Sequence, residues 1–143
     1  MMVFESFSVG DTEKIAFSLA NNAKNGDIYC LEGDLGAGKT AFSRGFAKGL
    51  LIDDYITSPT FTILNEYTGR LNLYHFDVYR IENSDKLYDT GYEEYFYGDG
   101  VCLVEWASIV KNVIPKNAVW IKIERDETKG EDYRKIIIEE GGV

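Results

Sequence analysis

A chain of 143 residues, 45% of them hydrophobic, can bury about 70% of its unfolded surface, so one domain spanning residues 1–143 needs no disulfide framework to fold. The formal net charge of −9 argues against unaided gripping of RNA or DNA backbones and favours an acidic surface that meets a protein partner. No apolar run approaches the ~20 residues of a membrane span, and the opening MMVFESFSVGD has no basic stretch leading into an apolar core, so a cytoplasmic protein without a signal peptide is expected.

In chain order, Val3 to Ser8 alternates weakly and reads as an edge strand. Gly10-Asp11-Thr12 offers a helix start, and Ile15, Ala16, Leu19, Ala20 and Ala23 make one apolar face that ends at Asn25-Gly26. Ile28 to Leu31 is a short apolar run with the look of a buried strand. Gly33 to Thr40 follows as G-x-x-x-x-G-K-T, the phosphate-binding loop. Its spacing has a physical reason. Gly36 and Gly38 let the backbone bend so that successive N–H groups point into one concavity, and a helix beginning near Lys39 aims its positive end at the same point. Leu35, Gly36, Ala37, Gly38, Lys39, Thr40 and Ala41 are the candidate nucleotide-binding segment. Lys39 would reach the β- and γ-phosphates, and the Thr40 hydroxyl would hold Mg²⁺. Ala41, Phe42, Gly45, Phe46 and Gly49 recur at helical spacing, with Gly49 placed as a C-cap. Thr12, at the start of the preceding helix, either packs or lies beside the nucleotide.

A loop with two acids, Asp53 and Asp54, leads into Thr57 to Tyr67. Pro59 holds Ser58 extended, and the three hydroxyls of Thr57, Ser58 and Thr60 lie where a segment that senses the γ-phosphate would sit, with Thr60 the best candidate. A Thr-rich strand start is the plainer reading. Thr68-Gly69-Arg70 is a turn, and Leu71 to Arg80 returns as the second strand of a hairpin, with Leu71, Leu73, His75 and Asp77 on one side. His75, the only histidine, reads as a core residue. Asp77, between Phe76 and Val78, needs a partner if buried: Arg80, His75, or the phosphates and their metal. Glu82 to Tyr97 reads as one or two short helices broken at Gly91, with Ser84 able to cap the first. Val101 to Val104 is an apolar run ending in Glu105, a strand whose terminal carboxylate would emerge beside the loop and hold Mg²⁺. Trp106 is either a core plug or a site-lining aromatic. Ala107 to Ile114 reads as a short helix ended by Pro115, and Trp120–Glu124 with Tyr133–Glu139 as a second hairpin. Arg134 reaches a nucleotide or sits in a salt bridge. Cys30 and Cys102 read as buried neighbouring thiols, and the 10 Tyr and 8 Phe as mostly core with some interface. The fold class is α/β: a P-loop NTPase-like sheet with a parallel core, antiparallel hairpin extensions and helices on its faces.

Four stretches taken in order, GDLGAGKT with FSRGF behind it, SPTFTILNEY, YHFDVYR and CLVEW, resemble the TsaE (YjeE) family of bacterial ATPases. The resemblance runs from the first helix to the last hairpin. It implies MgATP hydrolysis that supports a TsaB–TsaD complex in threonylcarbamoyladenosine modification of tRNA beside the anticodon, with tRNA met only through that complex. It further implies that Lys39 and the loop amides hold phosphates, Thr40 and Glu105 hold Mg²⁺, Thr60 is the switch threonine, and hydrolysis depends on Asp77. Trp106 falls in the family's EW pair, and Thr12 and Arg134 match nucleotide-proximal positions loosely. Two other functions compete: a small-molecule phosphotransferase, for which there is little room for a lid and no Arg cluster, and a non-catalytic ATP sensor, which would lose nothing on change of Asp77. A GTPase would need an N-K-x-D motif, which the sequence lacks. Arg44 and Arg80 are both available as a finger, and nothing in the sequence selects either.

Overall fold

The fold is built around β2, Ile28–Glu32, whose first four residues are all buried, as a central strand covered on both faces requires. The computed structural model describes residues 1–34, 36–57, 63–81 and 84–141, with the side chains of residues 84 and 85 set aside. Before β2 come β1 (Met2–Ser6) and α1 (Val9–Asn21); after it come α2 (Lys39–Gly49), β3 (Leu64–Tyr67), β4 (Leu73–Asp77), α3 (Ser84–Tyr88), α4 (Tyr92–Phe96), β5 (Val101–Glu105), β6 (Val119–Arg125) and β7 (Arg134–Glu140). Single 3₁₀ segments lie at Ala107–Val113 and Glu127–Lys129.

The strands form one seven-stranded sheet in the order β1-β7-β6-β2-β5-β4-β3. β6, β2, β5 and β4 are mutually parallel, and β3, β7 and β1 add antiparallel pairings at the two sides. The α/β class with a parallel core and antiparallel extensions is therefore the observed one. The alternation of β5 explains how a run with no polar residue before Glu105 fits: Val101 and Leu103 enter the core under α1 and α2, while Cys102 and Val104 enter the core under α3, α4 and the first 3₁₀ segment. Cys30 and Cys102 lie in that second core as free thiols whose ionisation burial disfavours.

Several elements differ from the sequence expectation, among them β1, which ends at Ser6, and β4, which spans only Leu73–Asp77. α1 begins at Val9, because Ser8 caps it: the Ser8 Oγ accepts from the Asp11 N–H at 3.0 Å while the Asp11 carboxylate accepts from the Phe7 N–H at 3.0 Å. It ends at Asn21, short of Asn25-Gly26. Gly49 is not a C-cap but the last residue of α2, and it serves packing instead. A Cβ there would lie 2.6 Å from the Ala20 Cβ, and one on Gly45 would lie 2.2 Å from the Glu13 carbonyl oxygen. Gly45 and Gly49 thus let α1 lie directly on α2, while Phe42 and Phe46 on another face of α2 are wholly buried against the sheet. The segment after β5 is a 3₁₀ run kinked at Val110 rather than an α-helix.

Candidate functional site

The site grows from the ends of β2, β5 and β4. β2 delivers Glu32 and the glycine-rich loop, whose bends at Gly36 (φ 80°) and Gly38 (φ 104°) occupy the left-handed region that glycine alone enters without cost. Gly38 is the N-cap of α2, so the helix starts at Lys39 with its positive end facing the loop concavity. The Ala37 N–H closes a turn onto the Asp34 carbonyl at 2.9 Å. Thr40 is exposed at the helix start and Ala41 half-buried behind it. Leu35 and the expected switch threonine Thr60 lie outside the described residues.

Lys39 is buried, only 7% exposed, and its Nζ has no hydrogen-bond partner among the described residues. It rests 3.4 Å above the centroid of the Trp106 ring, a cation–π contact worth about 0.5–2 kcal/mol. Burial holds its ammonium below the ordinary lysine range, opposed by the carboxylates of Glu105, Asp77, Glu32 and Asp34. Trp106 itself has φ 62°, a strained backbone for a bulky residue, and its N–H donates to the Leu31 carbonyl at 3.1 Å. Tyr79 packs against its ring at 4.7 Å. Trp106 thus lines the cleft beside the loop and also packs against the second core.

β4 and β5 bring the acids together. Asp77 and Glu105 are opposite one another in the parallel register, two strands' ends from sequence positions 28 residues apart (105 minus 77). Glu105 is buried at 3% exposure, and its Oε2 lies 2.5 Å from His75 Nε2. Asp77 is half-buried, and its Oδ1 accepts from the Tyr79 N–H at 2.9 Å. Burial raises its carboxyl above the usual range, with the Glu105 charge adding to the rise and the Tyr79 N–H opposing it. Of the partners considered from sequence, His75 thus goes to Glu105.

Arg134, at the start of β7, holds the loop from outside. Its Nε donates to the Ala37 carbonyl at 2.8 Å and its Nη2 to the Gly36 carbonyl at 3.3 Å, while Nη1 donates to the Glu131 and Tyr133 carbonyls. These bonds to backbone take the place of the expected salt bridge. Thr12 is buried one layer further out, its hydroxyl 2.7 Å from the Ser6 hydroxyl, and Ser6 is opposite Arg134 in the β1–β7 register. Arg44 is engaged with Tyr55 and the Ile56 carbonyl.

Beside the loop lies a cleft of ≈ 400 Å³ lined by Glu32, Asp34, Trp106, Lys122 and Arg125 among others. Lys122 and Arg125 were not candidates from sequence; their only signal is a place on the strand that becomes the neighbour of β2. The His75–Glu105 pair was also missed, because the two residues meet only when β4 lies beside β5.

The donor set suits Mg²⁺ held with a nucleotide. Such sites use one or two carboxylates plus substrate phosphates, and among the described residues no three His, Cys, Asp or Glu form a cage that would hold a metal by protein ligands alone. No helix among the described residues is long and apolar enough to cross a membrane.

Comparison with known proteins identifies the family of the chain. The family profile described as "Threonylcarbamoyl adenosine biosynthesis protein TsaE" matches residues 7–136. A protein of Bacillus subtilis named "tRNA threonylcarbamoyladenosine biosynthesis protein TsaE" is 52% identical over 127 residues, covering 88% of this chain and 77% of that protein. One of the same name from Treponema pallidum is 43% identical over 118 residues, covering 82% and 87%. The crystal structure of Bacillus subtilis YdiB superposes with a TM-score of 0.81 at 44% identity, over 99% of this chain and 86% of that one. With nearly the whole length matched by the profile and by relatives of similar size, the chain belongs to the TsaE family.

Proposed function

We propose that this protein binds and hydrolyses MgATP in support of a TsaB–TsaD complex during threonylcarbamoyladenosine modification of tRNA, meeting tRNA only through that complex. The observation that carries the reading is Lys39: a buried ammonium with no hydrogen-bond partner among the described residues, at the first turn of α2, behind two left-handed glycines. A buried cation of this kind is costly without an anion, and the loop amides and helix end favour a phosphate at the same point.

Each residue then has a task. The backbone of Gly36 to Ala41 cradles the phosphates, and Lys39 leaves the Trp106 ring to meet the β- and γ-phosphates. Arg134 anchors the loop by donating to the Gly36 and Ala37 carbonyls. Thr40 and Glu105 would hold Mg²⁺, which when bound neutralises charge on the phosphate oxygens. Asp77, with one carboxylate oxygen on the Tyr79 N–H, has the other left to orient the attacking water. Thr60 joins as the γ-phosphate sensor. Hydrolysis by positioning and charge, with no strong base, is slow unless a partner completes the site.

Calorimetry with MgATP, followed by turnover with and without TsaB and TsaD, tests this. Wild-type chain should bind, Lys39→Ala should bind at least about 100-fold more weakly by loss of a buried charge-assisted contact, and the two partners should stimulate turnover. Equal affinity of the two chains would remove the site, and binding without stimulation would turn the reading to an ATP sensor.

A further inference from the structure

We propose that His75 is a positioning residue that fixes the Glu105 carboxylate for its metal. The inference rests on Glu105 acting as a Mg²⁺ ligand. Three observations point to it.

First, the pair is built in the core rather than at the surface: His75 is fully buried, Glu105 nearly so, and Nε2 lies 2.5 Å from Oε2. Second, the partners of the ring assign its proton. Nδ1 is buried and has no hydrogen-bond partner among the described residues. A proton on Nδ1 would be an orphaned donor, whereas a bare Nδ1 is only an unused acceptor. Nε2 is therefore the ring nitrogen that donates, and the Glu105 Oε2 accepts from it. Third, the neighbouring acid does not compete for that donor. Asp77 lies two residues along the same face of β4, but its Oδ1 already accepts from the Tyr79 N–H.

The register explains why such a residue is useful here. His75 is opposite Leu103 and Asp77 is opposite Glu105, so the ring lies one pleat inside the strand end where Glu105 emerges. Glutamate has one more rotatable bond than aspartate and loses more rotamer freedom when held. One oxygen pinned by His75 leaves the other with a fixed direction. Ligands anchored in this way typically weaken metal binding about 10–100-fold when the anchor is removed.

The test compares three variants by Mn²⁺ binding to the ADP-loaded chain, read as loss of the free-ion paramagnetic resonance signal, with ADP affinity in EDTA and thermal unfolding measured alongside. In His75→Gln the amide nitrogen can take the place of Nε2; in His75→Asn it falls short; His75→Leu has no donor. Asn and Leu should weaken Mn²⁺ about tenfold or more and Gln by less than about threefold, with ADP affinity in EDTA unchanged in all three. Wild-type Mn²⁺ affinity in Asn, or an equal fall in Gln and Asn, would overturn the assignment. Glu105→Gln is the control for the underlying reading: unchanged Mn²⁺ affinity there removes Glu105 as a ligand, whatever His75 does.

Discussion

Lys39 and Asp77 are opposite charges held under the same strain, since burial disfavours the ionised form of each. For Asp77 the consequence for stability has a definite sign. Its folded carboxyl is raised above 3.8, so the folded chain holds that proton more tightly than the unfolded chain does. As pH rises from 3.8 through the raised value, the unfolded chain has lost more of the proton, and stability falls; the deficit persists at neutral pH. Asp77→Asn removes it. The variant should be more stable than wild type at pH 7, by less than about 1 kcal/mol because the group is half-exposed and screened, and the gain should shrink on acidification. Its ATP affinity should be kept and its turnover lost. Thermal unfolding across pH, with a turnover assay, checks both; an Asn variant less stable at pH 7 would contradict the sign. At this scale the loop residues were legible because their spacing is local, each N–H set by its neighbours in sequence. The Tyr79 N–H as a partner of Asp77 was not, because the sequence pointed to the charged side chains of His75 and Arg80 and gave no signal for a backbone donor two residues on.

α2 shows how one element serves two surfaces. Phe42 and Phe46 lie fully buried against the sheet, each contributing about 1.5–3 kcal/mol of burial, while Gly45 and Gly49 let α1 approach. Gly45→Ala tests the second surface because two effects compete. Alanine is better than glycine inside a helix by about 1 kcal/mol, but its Cβ would lie 2.2 Å from the Glu13 carbonyl oxygen, a backbone atom that cannot swing away. The clash should win, with a net loss of about 1–3 kcal/mol measured by denaturant unfolding; a neutral or stabilised variant would mean that the helices part easily. The helical period of Phe42 and Phe46 was readable from sequence. The role of Gly49 was not, since a glycine ending a helix reads equally as a cap or as a contact until the neighbouring helix is placed. The start of α1 shows a related miss: Ser8 and Asp11 form a reciprocal cap, which the sequence pattern contains but the glycine at position 10 obscured.

For the molecule as a whole, charge decides which partners it can meet unaided. A net charge of −9 leaves little to hold a phosphate backbone. The chain alone should therefore give no saturable binding to labelled tRNA at near-physiological salt, measured by fluorescence anisotropy, and should be retained on tRNA only when TsaB and TsaD are present. Tight, salt-sensitive binding by the chain alone would show that a local basic surface outweighs the overall charge, with Lys122 and Arg125 beside the loop the first residues to change.

What the sequence by itself determined is whatever depends on neighbours along the chain: the bends at Gly36 and Gly38, the helix beginning at Lys39, the buried strand ending in Glu105 and the α/β class. Each follows from local sterics or from the two- and 3.6-residue periods of strand and helix. The tertiary structure alone decided the order of strands, and with it every contact across them. Only with β4 beside β5 does His75 meet Glu105, and only with β7 on the far side of β6 does Arg134 reach the Gly36 and Ala37 carbonyls. Those contacts join residues 30 and about 97 positions apart, and no local pattern records them, because strand order is chosen by the burial of both sheet faces at once.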